Sequence, residues 1–380
     1  MRCAIVPPTP VPYREPLFRA LSDRSELELC VIYQSAGQPS WDVPTDWFPH
    51  EHPYPAVHLT AWQRRRAGRT PLISPRGLLR ALRDFDPGVV VVWEYGAASL
   101  RTLAWCRRHR RAYVIFTECT PQIDSMLPRW QLELHRRLAR QADGVIAASS
   151  AARERLLSFG VRQERITVAL QAADVGRFRA AVAARGEGCR IISVGRLVPD
   201  KNFATLIRAV PAEAELEIVG TGFLKDELKQ LAAQQSARVN FRGHVPPEEL
   251  PALYRAADVY ALVSTYEPFG VAVREAAAAG LPIVCSRAAG AAGDVAIEGR
   301  NAILVDPGNV DEIAGALARL ASDPELRARM GAESQAIDRE TDGVEIDAFA
   351  EAMTAAARRY GPSSAGSTSS AIRATDASGR

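Results

Sequence analysis

Arg190-Ile191-Ile192-Ser193-Val194-Gly195-Arg196-Leu197-Val198-Pro199-Asp200-Lys201-Asn202-Phe203 is an apolar, β-branched run that stops at a glycine and enters a helical pattern. A strand that leaves a sheet so abruptly and feeds a helix is one half of a βαβ unit. The same alternation continues through strand candidates Glu215–Val219, Val239–Phe241, Val259–Val263, Ile283–Cys285 and Ala302–Val305. Upstream, strands are expected at Cys3–Pro7, Leu27–Tyr33, Val89–Glu94, Ala112–Thr117, Gly144–Ala148 and Arg165–Leu170. Helical patterns lie between them at Glu15–Ser22, Gly77–Phe85, Ala98–Arg108, Arg129–Gln141 and Ala151–Phe159. The pattern predicts an α/β protein with two Rossmann-like, doubly wound parallel sheets in series.

The expected division is a first domain over 1–171, a connection over 172–188 and a second domain over 189–345. A helical stretch over 346–360 follows, and then a disordered Gly/Ser/Ala/Thr-rich tail over 361–380. The Pro-, Trp-, His- and Arg-rich stretch Trp41–Arg69 breaks the rhythm and reads as a long irregular segment.

Length agrees with two domains, because 380 residues exceed what one core usually organises. With 47% hydrophobic and 24% charged residues, 26 Gly and 25 Pro, the chain is neither collagenous, disordered nor a disulfide scaffold. Six separated cysteines without a Cys-x-x-Cys pair read as reduced core thiols. No run of 18 apolar residues exists, and prolines interrupt the start at Pro7-Pro8, which predicts a cytoplasmic protein. The net charge of +3 is uneven: residues 1–175 carry 24 Lys+Arg against 17 Asp+Glu, and residues 176–380 carry 23 against 27. That balance is too even for a nucleic-acid binder, so no nucleic-acid partner is expected.

Three segments carry chemistry. Gly195 releases the chain at the carboxyl end of its strand, where open α/β sheets bind ligands. Arg196 and Lys201 then offer two cations beside a helix start, a place suited to phosphate; a solvated surface loop is the alternative. Gly220-Thr221-Gly222 lacks the third glycine of a dinucleotide fingerprint and says only that backbone closely approaches a ligand or a neighbour. In Ser264-Thr265-Tyr266-Glu267-Pro268-Phe269-Gly270-Val271-Ala272-Val273-Arg274-Glu275 a loop opens an Ala-rich helix, whose first amides near Gly270 and Val271 can face phosphate oxygens. Glu267 and Glu275 make a poor glycosidase pair. A retaining pair needs carboxyls about 5–5.5 Å apart, and eight helical residues span roughly 12 Å. They read as hydroxyl-binding carboxylates.

These motifs, with Phe241-Arg242-Gly243-His244-Val245 and the strand Gly299-Arg300-Asn301-Ala302-Ile303-Leu304-Val305 before Asp306-Pro307, resemble glycosyltransferase family 4. The resemblance covers Arg190 to Leu320. It implies a GT-B fold whose closing helix over 346–360 returns to the first domain, a nucleotide-diphosphate sugar as donor, and retention of anomeric configuration. No cofactor or metal is expected, because Arg196 and Lys201 can do the neutralising. By the resemblance, Arg196 and Lys201 hold the donor diphosphate. Glu267 and the Phe269–Val271 amides hold the transferred sugar and its phosphate. Glu275 meets the ribose, the Gly243–Val245 turn with His244 and Val245 edges the base, and Gly195 and Gly222 line the donor. Acceptors implied are glycans, lipid-linked sugars or small molecules. The first half departs from the family: Glu118 stands where a histidine is more usual, and Pro7-Pro8-Thr9-Pro10-Val11-Pro12-Tyr13-Arg14 replaces a glycine-rich turn. Glu118 reads either as an acceptor of a sugar hydroxyl or as a surface glutamate.

Asp84-Phe85-Asp86 has metal-binding spacing but closes a helix before Pro87-Gly88, so it reads as turn chemistry. The six histidines show no ligand spacing on a common face. Arg64-Arg65-Arg66 with Arg69, and Arg107-Arg108 with Arg110-Arg111, near Trp62 and Trp105, leave room for peripheral contact with the inner membrane face; solvated Arg faces are the alternative. Alternatives to transfer are another GT-B nucleotide-sugar enzyme (epimerase or phosphorylase) and a non-catalytic nucleotide-sugar-binding subunit.

Overall fold

The computed structural model describes residues 1–37, 48–66, 69–179, 188–235 and 237–360, with the side chains of 63–72 outside that description. The first half contains β1 (Arg2–Val6), β2 (Glu28–Tyr33), β3 (Ala56–His58), a hairpin of β4 (Ala61–Arg66) and β5 (Arg69–Pro75), β6 (Val89–Trp93), β7 (Ala112–Thr117), β8 (Gly144–Ala147) and β9 (Ile166–Val168). Seven of these form one parallel sheet in the order β3-β2-β1-β6-β7-β8-β9. The second half contains β10 (Cys189–Val194), β11 (Ala214–Val219), β12 (Val239–Gly243), β13 (Val259–Leu262), β14 (Ile283–Ser286) and β15 (Ala302–Val305). They form a parallel sheet in the order β12-β11-β10-β13-β14-β15. The expected doubly wound pair is present.

Both faces of each sheet are covered, which is why the strands read as continuous apolar runs. Val89 to Val92 are fully buried. Four apolar clusters result, two per sheet. The helices that cover the first sheet are α1 (Glu15–Ser22), α2 (Leu78–Phe85), α3 (Ala97–His109), α4 (Arg129–Gln141) and α5 (Ser150–Ser158). Around the second lie α6 (Phe203–Ala209), α7 (Lys225–Gln234), α8 (Leu250–Ala256), α9 (Val271–Ala278), α10 (Val310–Ser322) and α11 (Pro324–Thr341). α12 (Val344–Ala357) then packs on the first sheet, burying Ala348, Phe349, Ala352, Met353 and Ala356 in its core. Those positions repeat at helical spacing. Phe349 stacks on Trp93 and Phe116 at centroid distances of 5.9 and 5.4 Å. Burying a side chain of that size is worth roughly 1.5–3 kcal/mol, which ties the second half's last element to the first sheet.

The structure revises two sequence expectations. The stretch Trp41–Arg69 is not irregular where it is described: β3 extends the first sheet and β4 pairs antiparallel with β5. β3 is only three residues long and β4 is arginine-rich, so neither shows an apolar alternation. The segment expected as a polar connection starts inside the second core, where Ala173, Val175 and Phe178 are buried. Residues 180–187 of that connection and the tail 361–380 lie outside the described residues, as do 38–47, 67–68 and 236.

The strand orders place the site. In the first sheet the winding reverses between β1 and β6, and in the second between β10 and β13. Ligands of doubly wound sheets bind at such switch points, outside the strands' carboxyl ends. The segments leaving these four strands are Pro7–Arg14, Glu94–Gly96, Gly195–Asn202 and Val263–Gly270.

Candidate active site

On the second sheet, the chain leaves β10 at Gly195 and reaches Lys201 through a single 3-10 turn, Pro199–Lys201. Asn202 closes that turn in a left-handed conformation, φ 55°. Its side-chain amide donates to the Val263 carbonyl at 3.1 Å and the Pro307 carbonyl at 2.8 Å, and its oxygen accepts from Thr205. The Thr265 amide donates to the Asp200 carbonyl at 2.9 Å. These bonds lash the β10 loop to the end of β13 and bring Lys201 to Glu267. The Lys201 ammonium pairs with Glu267 Oε2, and Ser264 Oγ approaches the same oxygen at 3.4 Å. Arg196 is exposed at the carboxyl end of β10.

Glu267 is held by its own backbone. The Gly290 amide donates to its carbonyl at 3.0 Å, and the Ala291 amide donates to the Phe269 carbonyl at 2.8 Å. A Cβ on Gly290 would lie 2.0 Å from the Pro268 carbonyl oxygen, so only glycine permits this approach. Gly270 then takes φ 97° and starts α9. Helix geometry leaves its first amides without intrahelical acceptors. Phe269 itself is 1% exposed, so its side chain is core and only its backbone can serve a ligand.

Glu275, on the second turn of α9, accepts from Tyr254 Oη at 2.8 Å. Burial pushes its carboxyl up to about 7, against the lowering effects of the Tyr254 bond and the Arg177 charge. Glu267 and Glu275 both act on the buried Tyr260 hydroxyl, so they flank the same strand, β13. Gly243 (φ 76°) turns the chain at the end of β12; His244 is exposed, and Val245 packs on the second core. Gly220 and Gly222 have a packing explanation. Added Cβ atoms would lie 2.0 Å from the Gly195 oxygen and 2.4 Å from the Leu197 oxygen. The close approach left open by the sequence is therefore to the neighbouring β10 loop.

The first sheet supplies the opposite wall. Glu118, at the end of β7, pairs with Arg14 at 3.0 Å, and the Arg14 side chain is only 7% exposed. Its guanidinium also lies over the Trp93 and Tyr13 rings, 5.2 and 5.3 Å from their centroids. Tyr13 is raised mainly by burial, and it also feels Arg14 and Glu118 from its own wall and Glu267 and Arg196 from the other. Tyr266, beside Glu267, is likewise raised by burial and feels Cys119, Glu94, Glu118 and Arg155. Arg196, Lys201, Glu267 and Glu118 thus converge on one cleft.

Arg14, Glu94 and Tyr266 escaped the sequence reading. Arg14 sits where a glycine-rich turn was looked for. Glu94, a carboxylate closing the apolar run Val89–Trp93, was a signal in plain view.

The decoys resolve as follows. Asp86 caps α2 with φ 47° and takes Arg111 at 2.8 Å. Three histidines do converge, against expectation: His52 Nε2 lies 3.0 Å from His58 Nε2, His52 Nδ1 faces Glu15 at 3.0 Å, and the His50 ring is 6.2 Å from that of His58. They come from separate turns after β2 and at β3, which linear spacing hides. Among the described residues, no group of three His, Cys, Asp or Glu side chains is arranged to hold a metal. Trp105 is a core residue at 6% exposure, not a surface aromatic. Arg107 is engaged by Asp143.

Family models match both halves of the chain. The family model described as "Glycosyl transferases group 1" matches residues 174–336, and that described as "Glycosyltransferase Family 4" matches residues 20–177. A GDP-mannose-dependent alpha-(1-6)-phosphatidylinositol monomannoside mannosyltransferase of Mycolicibacterium smegmatis is 32% identical over 287 residues, covering 69% of this chain and 74% of that one. An uncharacterized glycosyltransferase of Methanocaldococcus jannaschii is 39% identical over 153 residues, and the chain spans only 39% of its length. Among solved structures, Anabaena HepE in complex with UDP superposes with a TM-score of 0.76 at 22% identity, covering 93% of this chain and 100% of that one. The fold is GT-B, two parallel α/β domains facing one cleft. The chain belongs to glycosyltransferase family 4.

Proposed function

We propose that this protein transfers a sugar from a nucleoside diphosphate sugar to an acceptor hydroxyl, with retention, and without a metal or cofactor. The observation that carries the reading is the Lys201–Glu267 pair at the mouth of α9, facing Glu118 and Arg14 across the cleft. In the ligand-free state the two charges neutralise each other. A bound donor separates their tasks. Lys201, with Arg196 and the α9 amides, faces the leaving diphosphate, where negative charge grows in the transition state. Glu267 accepts from hydroxyls of the transferred sugar, and Glu275 accepts from the ribose. The acceptor hydroxyl attacks from the face the diphosphate leaves, and a donor phosphate oxygen takes its proton. Two fixed cations do the neutralising that a divalent metal performs elsewhere.

A lipid-linked acceptor at the inner membrane face is part of the proposal. The mycolicibacterial relative is named for a phosphatidylinositol monomannoside acceptor. Here a cavity of about 530 Å³ in the first domain is lined by Trp62, Leu79, Arg76, Arg80 and Arg101, with Trp62 50% exposed. Among the described residues no helix is long and apolar enough to cross a membrane.

Thermal shift with UDP-, GDP-, ADP- and dTDP-sugars identifies the donor. Nucleoside diphosphate release with and without candidate acceptors then tests the reaction. Stabilisation by a nucleotide sugar without any release indicates a binding subunit; conversion of the sugar without release indicates an epimerase; release on addition of phosphate alone indicates a phosphorylase.

A further inference from the structure

Glu94 has no role in the reaction as described above, yet it is the most constrained carboxylate in the cleft. It directly follows Trp93, the last residue of β6, and takes φ 57°, a left-handed conformation that a glutamate seldom adopts. Such backbone persists where the surroundings over-determine it. Here its amide donates to the Phe116 carbonyl at 2.8 Å, and its carbonyl accepts from Ser99 Oγ at 2.6 Å. The left-handed turn sends the side chain over the end of the neighbouring strand, β7. There the carboxylate accepts three bonds from three successive residues: Thr117 Oγ1 at 2.9 Å, the Glu118 amide at 2.6 Å and Cys119 Sγ at 3.2 Å. A strained residue at a switch-point strand thus grips the turn that carries Glu118.

We propose that Glu94 is a positioning residue: its carboxylate fixes the Thr117–Cys119 turn and so aims Glu118 at the reacting sugar. This rests on the glycosyl-transfer reading above. Glu118 is then located by two clamps, Glu94 through its backbone and Arg14 through its carboxylate. Its own side chain need not be rigid. Burial and the nearby Glu118 charge raise the Glu94 carboxyl, while the three donors hold it down, as expected of a carboxylate kept in place by the turn it holds.

The test uses two variants of the full chain. Glu94→Gln keeps the length of the side chain but replaces one acceptor oxygen by a donor group. Glu94→Gly removes the carboxylate and relieves the left-handed backbone, which offsets part of the stability lost with the three bonds, so the chain should still fold. In Glu94→Gly, hydrogen exchange of the peptide over 117–120 should accelerate at least about tenfold, because the Glu118 amide loses its acceptor; Glu94→Gln keeps one acceptor oxygen for three donors, so a smaller acceleration is expected there. With the nucleotide sugar the parent turns over, kcat should fall about tenfold, a change of about 1.4 kcal/mol, with donor KM unchanged. Combining Glu94→Gln with Glu118→Gln should be no slower than Glu118→Gln alone.

Unaltered exchange at 117–120 would overturn the proposal. So would losses that multiply in the double variant, or a lowered melting temperature with kcat intact, which is what a purely structural residue gives. If the parent turns over no nucleotide sugar, the glycosyl-transfer reading fails and takes the sugar-facing role of Glu118 with it. The exchange result still decides whether Glu94 holds the turn, so the two failures are distinguishable.

Discussion

The two walls of the cleft are built on opposite plans. The second-domain wall is made of strand–loop–helix units in which each functional residue lies a few positions from the glycine that places it. Gly195 precedes Arg196, Gly270 follows Glu267, and Gly220, Gly222 and Gly290 let separate backbones touch. The strand-end segments of the first-domain wall hold one glycine, Gly96, where an added Cβ would meet nothing within 4 Å. This wall gathers single charged residues from the ends of three strands: Arg14 after β1, Glu94 after β6 and Glu118 after β7. One wall is set by close backbone approach and the other by side-chain bonds, so the two should fail differently when altered.

Gly290→Ala should produce the largest effect. Its Cβ meets backbone, the Pro268 oxygen at 2.0 Å and the Phe269 Cα at 3.0 Å, and no flexible side chain can yield. A stability loss of about 3 kcal/mol is expected, read from the denaturant midpoint, with nucleotide binding lost as the Glu267 loop shifts. The contrast with Glu94→Gly, which should still fold, is the sharpest test of the two plans; equal destabilisation would erase it.

Next comes Lys201→Ala. A charge-assisted contact is worth roughly 1.5–3 kcal/mol. If that contact forms mainly in the transition state, kcat falls about ten- to a hundredfold while donor KM stays near its parent value. Raised KM with unaltered kcat would reduce Lys201 to a ground-state anchor.

Glu118→Gln should cost about tenfold in kcat and leave binding of the nucleoside diphosphate alone untouched, a split that calorimetry with the free nucleotide can read. Weakened nucleotide binding would move Glu118 to the donor wall and break the comparison.

The last test is a pH dependence. Glu275 is raised to about 7 in the folded protein from an ordinary value near 4.5. The folded state therefore binds the proton more tightly than the unfolded one, and the stability this supplies is complete below about 4.5 and lost as pH rises through about 7. Relative to Glu275→Gln, the ligand-free parent should lose melting temperature between pH 5 and 8. Nucleotide affinity should rise over the same range, because ribose hydroxyls need the ionised acceptor. Parallel melting curves for parent and variant would dismiss the buried glutamate as an influence on stability.

The second-domain wall was the more legible of the two. Arg196, Lys201, Glu267 and Glu275 could each be picked out because βα units keep sequence neighbours near in space, and turn glycines mark where the strand ends. What the linear pattern left open there was the meaning of Gly220 and Gly222, since a clash with Gly195 and Leu197 depends on which strands are adjacent. The short edge strand β3 was also hidden, because three half-buried residues carry too little apolar signal.

By itself, the sequence determined the two doubly wound sheets and the strand-end loops that bear the charges. Fully covered parallel strands must be apolar throughout, and only glycine tolerates the tight exits between strand and helix. Only the tertiary structure decided that Arg14, Glu94 and Glu118 form one cluster and that Lys201 meets Glu267. Those contacts join residues 24 to 104 positions apart, brought together by strand order. Strand order is set by how whole helices and sheets pack, and no local pattern of side chains encodes it.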